Sequence, residues 1–327
     1  MCEDFKILSL DGGGYKGLYT ISLLAELEKK FRRSCFEIFD LFAGTSTGSI
    51  IALALAMGKE ASEIQEMYLN LGKKIFGKKR KFSPIFNPFY NINDLYKYLD
   101  DIFESKTLKT IHKNGKRVII PASNISDISP RIFKTDYTED LDQHNDYKLA
   151  DIATASCAAP MYFQTHKITK NKSEEIFADG GLFANNPAVC AIIEAMAYNN
   201  QKIKNIKVVS IGTSNCESLQ KNFKINKGLK DWKENLILNT LELTSKSQEH
   251  IASFIFNQNK SNYLRISPSA QLNMINLDNI NESKLLINEA INTYNKVKNE
   301  KLIIDLFENK KEKVIIKEDI EMEVTNG

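Results

Sequence analysis

Residues 5–17 read F-K-I-L-S-L-D-G-G-G-Y-K-G, and residues 41–48 read L-F-A-G-T-S-T-G. In each stretch a short apolar run, typical of a β-strand, ends at a glycine turn. Apolar residues at helical spacing follow the first turn from Leu18 to Phe31, and a small-residue apolar run, Ile50–Met57, follows the second. Two strand–turn–helix units within the first 60 residues predict an α/β fold with a mostly parallel central sheet flanked by helices.

The composition is that of a folded protein. The 327 residues are 43% hydrophobic and 26% charged, and 44 Lys+Arg against 41 Asp+Glu give a formal charge of +3. These values exclude a disordered or fibrous chain. A net charge so near zero does not indicate nucleic-acid binding, and we expect no nucleic-acid partner.

The chain carries no sign of export or of a membrane span. Its five cysteines are widely spaced without a C-x-x-C pair, which favours a reducing compartment over a disulfide framework or a zinc site. The amino terminus, M-C-E-D-F-K, lacks a signal-peptide layout, and the longest apolar run has eight residues, too few to cross a bilayer. We expect a cytoplasmic protein.

The rest of the chain continues the alternation of strands and helices, without an internal repeat or a linker. Further strands are predicted at Arg117–Ala122, Arg131–Lys134, Glu175–Ala178 and Val208–Gly212. Further helices are predicted at Leu149–Ala158, Pro187–Tyr198, Lys230–Phe256 and Ser283–Phe307.

The stretch Gly44-Thr45-Ser46-Thr47-Gly48 is a G-x-S-x-G sequence between a strand and a helix. At such a turn the backbone projects the serine hydroxyl outward, and the flanking glycines allow close approach. The helix that follows favours developing negative charge near its first turn. We interpret Ser46 as a nucleophile; a Ser/Thr/Gly loop with an ordinary helix cap is the alternative.

A serine nucleophile requires a base, for which the chain offers histidines and carboxylates. Of His112, His144, His166 and His250, only His250 comes late enough for the Ser–Asp–His order of α/β-hydrolases. It falls inside a predicted helix, so we interpret it as a surface or capping residue. Asp179, in I-F-A-D-G-G-L at the end of a strand, is the stronger candidate, because a partly buried carboxylate can accept the serine proton. An Asp-Gly turn is the alternative reading.

The glycine stretch Gly12–Gly17 allows two readings. Consecutive glycines can point backbone N–H groups into one concavity, as an oxyanion hole requires. The same letters satisfy G-x-G-x-x-G, the dinucleotide fingerprint, which would make the protein a nucleotide-binding regulatory module. That reading requires an acidic residue after the second strand, whereas Asp40 precedes it. No Gly-Lys-Ser/Thr follows, which excludes a P-loop.

Taken together, D-G-G-G-Y-K-G, G-T-S-T-G and D-G-G make the chain resemble the patatin-like phospholipase family. Three further segments stand in the family's order: Ala153–Phe163, Asn185–Pro187 and Val209–Thr213. The resemblance covers roughly residues 5–215. It implies a three-layer patatin-like core over 1–215. The helices predicted after that core indicate a mostly helical portion over 216–308 packed on it, and residues 309–327 form a charged tail.

The resemblance also implies a mechanism. Ser46 would attack an acyl ester while Asp179 takes its proton, giving an acyl-enzyme that water hydrolyses. We expect no metal, because no cluster in the sequence has zinc or calcium spacing, and no cofactor. The N–H groups of Gly13 and Gly14 would form the oxyanion hole, with Gly12 shaping the turn. The supporting motif residues are Lys16, Gly17, Gly44, Gly48 and Gly180. Lys16 stands where the family usually has Arg, and Ser49 stands where a further glycine is frequent.

The partners that we expect follow from the same resemblance. The substrate would be a membrane phospholipid, reached from the inner face of the membrane. The basic stretch Lys73–Lys81, followed by aromatic residues, could bind anionic headgroups; a solvated loop is the alternative. Some bacterial members of the family are antiphage effectors that a cyclic nucleotide activates, so we expect a candidate cyclic nucleotide activator, its site in the unmatched C-terminal portion. A homo-oligomer is a further expectation.

Overall fold

A computed structural model of the protein describes residues 4–80, 87–135, 145–170, 172–197, 201–214, 229–257, 259 and 261–308. Several residues singled out by the sequence therefore lie outside the described part of the chain. They are Cys2, Lys81, His144, Cys216 and the tail over 309–327.

The described residues form one mixed sheet in the order β5-β6-β3-β2-β1-β7-β8, with β4 paired to β3. The strands are β1 (Phe5–Leu10), β2 (Leu41–Gly44), β3 (Arg117–Asn124), β4 (Ser129–Lys134), β5 (His166–Lys170), β6 (Ser173–Asp179), β7 (Ile206–Ile211) and β8 (Tyr263–Ile266). Strands β3, β2, β1, β7 and β8 are parallel, with β8 at the edge of the sheet, and β4, β5 and β6 are added antiparallel. The predicted, mostly parallel α/β sheet is confirmed.

Helices cover both faces of this sheet. They are α1 (Gly17–Phe31), α2 (Cys35–Ile38), α3 (Thr47–Ala56), α4 (Ala61–Ile75), α5 (Ile92–Phe103), α6 (Leu108–Lys113), α7 (Leu149–Ser156), α8 (Gly181–Ala184), α9 (Ala188–Ala197), α10 (Leu229–Ile255), α11 (Ser283–Val297) and α12 (Lys301–Glu308).

The first strand shows why the sheet lies between two helical layers. Every residue of β1 is buried, because its two faces pack against different helices. Phe5 and Ile7 belong to a smaller core cluster with α9, whereas Leu8 and Leu10 belong to the main core with α1, α3, α4 and α7. Side chains of a strand alternate between its faces, so apolar residues on both faces require cover on both.

Two expectations about the C-terminal portion are corrected. The helix predicted over Ser283–Phe307 is wrong, because α11 ends at Val297 and the chain turns before α12 begins at Lys301. The turn lets Phe307 pack its ring against Phe31 and Phe39, which one straight helix would not allow. The region is largely helical, as expected, but it also supplies β8, which no sequence pattern predicted. The division at residue 215 stays a prediction.

Candidate active site

The two glycine turns meet at one edge of the sheet. Strands β1 and β2 are parallel neighbours, and Leu10 lies opposite Gly44 in their register, so the turns that follow them lie side by side. Strand β3 runs beyond the end of β2, and β6 returns antiparallel along that extension, which places Asp179 opposite Ala122. The topology therefore brings residues from distant parts of the chain to one place.

Ser46 lies on a strained turn between β2 and α3. Its backbone has φ 52° and ψ −124°, a left-handed conformation that a residue other than glycine adopts at a cost of about 1–3 kcal/mol. Its N–H donates to Ser156 Oγ at 2.9 Å, and that hydroxyl donates to the Pro121 carbonyl at 2.7 Å. The surrounding structure thus holds the strained conformation in place.

The glycines on either side of Ser46 allow β2 and α3 to approach closely. A Cβ on Gly44 would strike the Gly48 carbonyl, and one on Gly48 would strike the Leu10 carbonyl. Side chains at these two positions would force the turn apart. The sequence pattern G-x-S-x-G is therefore a packing requirement of this turn.

Asp179 is the carboxylate that lines the same cavity as Ser46. It is 2% exposed, and its Oδ1 accepts the Gly181 N–H at 2.7 Å. Burial raises the pKa of Asp179 to about 6, although hydrogen bonds from the Gly181 N–H and the Ser46 side chain oppose the shift. A carboxyl group with this pKa is ionised at neutral pH. Its pKa also lies close enough to neutral pH for the group to accept and release a proton there.

The backbone N–H groups of the glycine loop after β1 differ in whether they have an acceptor. The Gly12 N–H donates to the Asn185 carbonyl at 3.0 Å, and the Tyr15 N–H donates to the Leu277 carbonyl at 2.7 Å. For the N–H groups of Gly13 and Gly14, by contrast, no acceptor is found among the described residues. Gly14 has φ 58°, which favours glycine at that position. Gly13 and Gly14 are thus the available donors, whereas Gly12 has a structural role.

Three supporting motif residues lie around this loop. Lys16 is buried at the junction of the loop and α1, where its N–H donates to the Gly13 carbonyl at 3.2 Å. Gly17 lies against Thr47, and Gly180 lies against the Pro121 carbonyl, so neither position has room for a Cβ.

Two cavities meet at Gly13. One contains Ser46, Asp179 and Gly14, and its other lining residues are mainly apolar: Ile50, Leu71, Phe76, Leu95, Cys157, Ala159, Tyr162, Phe163, Leu241 and Leu277. The second lies on the other side of the loop and is richer in polar groups: Lys16, Thr213, Ser214, Asn239, Glu242, Asn273 and Asn276. Gly13, Asn185, Leu241 and Leu277 line both. A mainly apolar cavity and a more polar one are thus neighbours at the glycine loop.

The described histidines do not line either cavity. His250 is exposed on α10, as predicted, and its ring packs against Phe254. His166 bonds to Asp151 at 2.9 Å, between Nε2 and Oδ1, and stacks on Tyr96. A histidine-dependent triad at Ser46 has no support from these positions.

The dinucleotide alternative also lacks its acidic residue. Asp40 comes before β2, and its Oδ2 accepts the Lys6 N–H at 2.8 Å. Lys6 lies near the start of β1, whereas the glycine loop follows the end of that strand. The carboxylate is therefore at the opposite edge of the sheet from the loop, where it cannot contact a ribose bound there.

Several residues at the site were missed by sequence reasoning. Ser156 and Asn185 lie in segments that matched family landmarks, but no role could be read from their letters. Asp11, Ser245 and Arg265 form a buried group beneath the glycine loop. Ser245 and Arg265 lie in the part of the chain that matched no motif, so only the folded structure could reveal them.

Part of the basic stretch is engaged with the protein itself. Lys79 Nζ lies 2.7 Å from Asp278 Oδ2 and 4.2 Å from the centre of the Phe89 ring. Lys74 lies over the Tyr98 ring. A membrane contact through Lys73–Lys81 stays a prediction.

Within the described ranges, no helix combines the length and apolar character needed to cross a bilayer. The same residues contain no cluster of three or more His, Cys, Asp or Glu side chains suited to holding a metal ion.

A family model described as patatin-like phospholipase matches residues 8–192, which contain both glycine turns and Asp179. The chain belongs to the patatin-like phospholipase family. The expected fold class and the resemblance are thereby confirmed, and membership makes the chain a relative of lipid acyl hydrolases.

Relatives of this patatin-like chain include cyclic-nucleotide-activated enzymes. A cGAMP-activated phospholipase of Escherichia coli strain TW11681 is 35% identical over 223 residues, covering 64% of this chain and 62% of the relative. A cGAMP-activated phospholipase of Vibrio cholerae serotype O1 is 32% identical over 312 residues, covering 86% and 87%. A cUMP-AMP-activated phospholipase of Escherichia coli is 27% identical over 258 residues, covering 77% and 78%. Among solved structures, VipD from Legionella pneumophila matches with a TM-score of 0.43 and 13% identity, covering 90% and 67%.

Proposed function

We propose that this protein is a serine lipid acyl hydrolase that cleaves acyl esters of membrane phospholipids with a Ser46–Asp179 dyad. The observation that carries the proposal is the convergence on one largely apolar cavity of a strained serine, a buried carboxylate and two amide N–H groups available to a ligand. Family membership supports the reaction class.

In the first half-reaction, Ser46 Oγ attacks the ester carbonyl carbon and its proton passes to the Asp179 carboxylate. The carbonyl oxygen becomes an oxyanion, which the N–H groups of Gly13 and Gly14 stabilise. When the tetrahedral intermediate collapses, the bond between the acyl carbon and the alcohol oxygen breaks, and the alcohol leaves with the proton from Asp179.

In the second half-reaction, Asp179 takes a proton from a water molecule that attacks the acyl–Ser46 ester. Collapse of this second intermediate releases the fatty acid and returns the proton to Ser46 Oγ. No residue other than the dyad is needed for proton transfer.

The two cavities support a phospholipid as the substrate. With the scissile carbonyl at Gly13 and Gly14, the acyl chain would occupy the apolar cavity, and the leaving alcohol with its headgroup would face the polar one. Contact between apolar walls and an acyl chain is favourable by about 25 cal/mol per Å² of buried surface. A soluble short-chain ester lacks most of that contact, so we expect it to be the poorer substrate.

The relatives named as cGAMP- and cUMP-AMP-activated support a regulated enzyme. A cyclic dinucleotide would be its activator, and the bilayer would be contacted through the basic stretch Lys73–Lys81. The same proposal includes a homo-oligomer as the active form of the enzyme.

The test is fatty-acid release from phospholipid vesicles by the purified chain, followed by mass spectrometry, with and without cGAMP or cUMP-AMP. We expect free fatty acid and lysophospholipid, with release increased by one of the two nucleotides. Vesicles incubated with protein pretreated with a fluorophosphonate serve as the control. Absence of acyl-ester cleavage under every condition would refute the proposed function; release that is equal without nucleotide would refute the activation alone.

The pKa of Asp179 leads to a second expected outcome. Because only the carboxylate accepts the Ser46 proton, activity should fall when Asp179 is protonated, that is, below about pH 6. We expect kcat/KM for a soluble acyl ester to be level above pH 7 and to fall about tenfold for each pH unit below 6. A kcat/KM that stays constant down to pH 4.5 would show that Asp179 is not the base.

A further inference from the structure

A buried ion pair lies directly beneath the glycine loop. Arg265 on β8 binds Asp11 through two hydrogen bonds, from Nη1 to Oδ1 at 2.7 Å and from Nη2 to Oδ2 at 2.6 Å. Asp11 is 1% exposed, and the Arg265 side chain is 11% exposed. Such a two-point contact fixes orientation as well as position. Asp11 is followed at once by Gly12, Gly13 and Gly14, so the pair anchors the residue from which the loop starts.

Two further elements hold the same carboxylate and the same arginine. Ser245 on α10 donates to Asp11 Oδ2 at 2.5 Å, and Arg265 Nη1 donates to Ser210 Oγ on β7 at 2.8 Å. Beyond β7, Thr213 Oγ1 donates to the Gly12 carbonyl at 2.5 Å. The base of the loop is thus tied to β7, β8 and α10, all of which follow residue 192, where the match to the family model ends.

The available donors of the loop depend on this support. Gly13 and Gly14 have no side chains that could hold them, and no acceptor for their N–H groups is found among the described residues. Their direction is set by the bonds that hold the carbonyls of the same peptide planes, from Thr213 Oγ1 to Gly12 and from the Lys16 N–H to Gly13. Asp11 before the glycines and the Tyr15 N–H bond to the Leu277 carbonyl after them fix the two ends of the loop. A hydrogen bond from a displaced donor is much weaker, because its strength depends strongly on its angle and distance.

We propose that Arg265 is a positioning residue that, through Asp11, aims the Gly13 and Gly14 N–H groups at the reacting oxygen. The inference rests on the proposed function, and it assigns to β8 and α10 a role in the chemical step. Arg265 does not touch the substrate; it acts through the loop.

The test is Arg265→Met, which keeps an unbranched apolar stem but removes the guanidinium and with it both hydrogen bonds to Asp11. The matched control is Lys134→Met, which breaks another largely buried ion pair, between Lys134 and Glu194 at 3.0 Å, whose residues line neither cavity. For Arg265→Met we expect kcat to fall about 100-fold with KM nearly unchanged, because small displacements of catalytic groups have effects of this size. Lys134→Met should keep kcat within about twofold.

A transition-state analogue separates positioning from a loss of structure. An alkyl trifluoromethyl ketone forms a tetrahedral adduct with the serine and carries the oxyanion, so its affinity should fall in Arg265→Met in parallel with kcat/KM. The affinity of a non-reactive ether analogue of the lipid should not change. Both are measured on protein whose melting temperature shows that it is folded.

If Arg265→Met does not fold, Arg265→Lys and Ser245→Ala take its place. Each should lower kcat by less than Arg265→Met, in the same direction and with KM unchanged. The positioning role would be overturned if the wild type is active and the Arg265 and Ser245 variants have the same kcat as Lys134→Met. The proposed function would then stay intact. A wild-type protein that cleaves no acyl ester would instead refute the proposed function.

Discussion

The Ser46→Ala variant should lose acyl-ester hydrolysis by at least about 10⁴-fold while keeping its fold, because the proposed acyl-enzyme forms on the Ser46 hydroxyl. Alanine keeps the Cβ and the backbone N–H, so the bond from that N–H to Ser156 Oγ can persist. The measurements are kcat with a soluble acyl ester, fatty-acid release from vesicles, and covalent labelling by a fluorophosphonate, which should be absent.

The matched control for this variant is Ser34→Ala. Ser34 caps α2, where it accepts the Glu37 N–H at 3.2 Å, and its loss should cost about 1 kcal/mol of stability without changing kcat. Undiminished labelling and hydrolysis in Ser46→Ala would assign the nucleophile to a different serine. Equal losses of activity in both variants would show that serine removal destabilises the fold.

The sequence allowed candidate catalytic residues to be named because glycine patterns have local steric causes. Gly44 and Gly48 are required by the packing of one turn, and their spacing can be read directly from the letters. Asp179 could be placed at the end of a strand for a similar reason, because an apolar run stops at an Asp-Gly pair. Local rules of this kind predict which residues are candidates.

The residues that hold the site could not be predicted in the same way. Arg265 contacts Asp11 across 254 positions of the chain, and no local pattern indicates that pairing. The segment Tyr263–Ile266 is a strand because β7 offers it an unpaired parallel edge, and a four-residue apolar segment alone does not distinguish a strand from a helix. Likewise, the break between α11 and α12 depends on the packing of Phe307 against Phe31. These features follow from tertiary contacts.

The Asp179→Asn variant should lose activity by at least about 10⁴-fold, because removal of the base of a serine hydrolase has effects of this size or larger. The amide has nearly the shape of the carboxylate, and its oxygen can still accept the Gly181 N–H, but it cannot take the Ser46 proton. His250→Ala is the control, and its kcat should equal that of the wild type, because His250 lines neither cavity. A fall in kcat in the His250 variant, with melting temperature unchanged, would restore the triad alternative.

The same substitution should stabilise the protein at neutral pH. Burial raises the pKa of Asp179 from the ordinary aspartate value of 3.8 to about 6 in the folded protein. The folded state therefore binds the proton more tightly and loses stability as the pH rises between these values. At 1.36 kcal/mol per pH unit, the ionised carboxylate costs the fold about 3 kcal/mol above pH 6. Asparagine never ionises and avoids this cost.

The melting temperature of Asp179→Asn should therefore exceed that of the wild type at pH 8, and the difference should shrink as the pH falls below 6 and nearly vanish at pH 4. A wild type that is the more stable protein at pH 8 would contradict burial as the cause of the raised pKa. The expected result, a more stable Asp179→Asn variant at pH 8, would mean that activity at this site lowers stability, because the proposed base is buried beside Ser46 and ionised there.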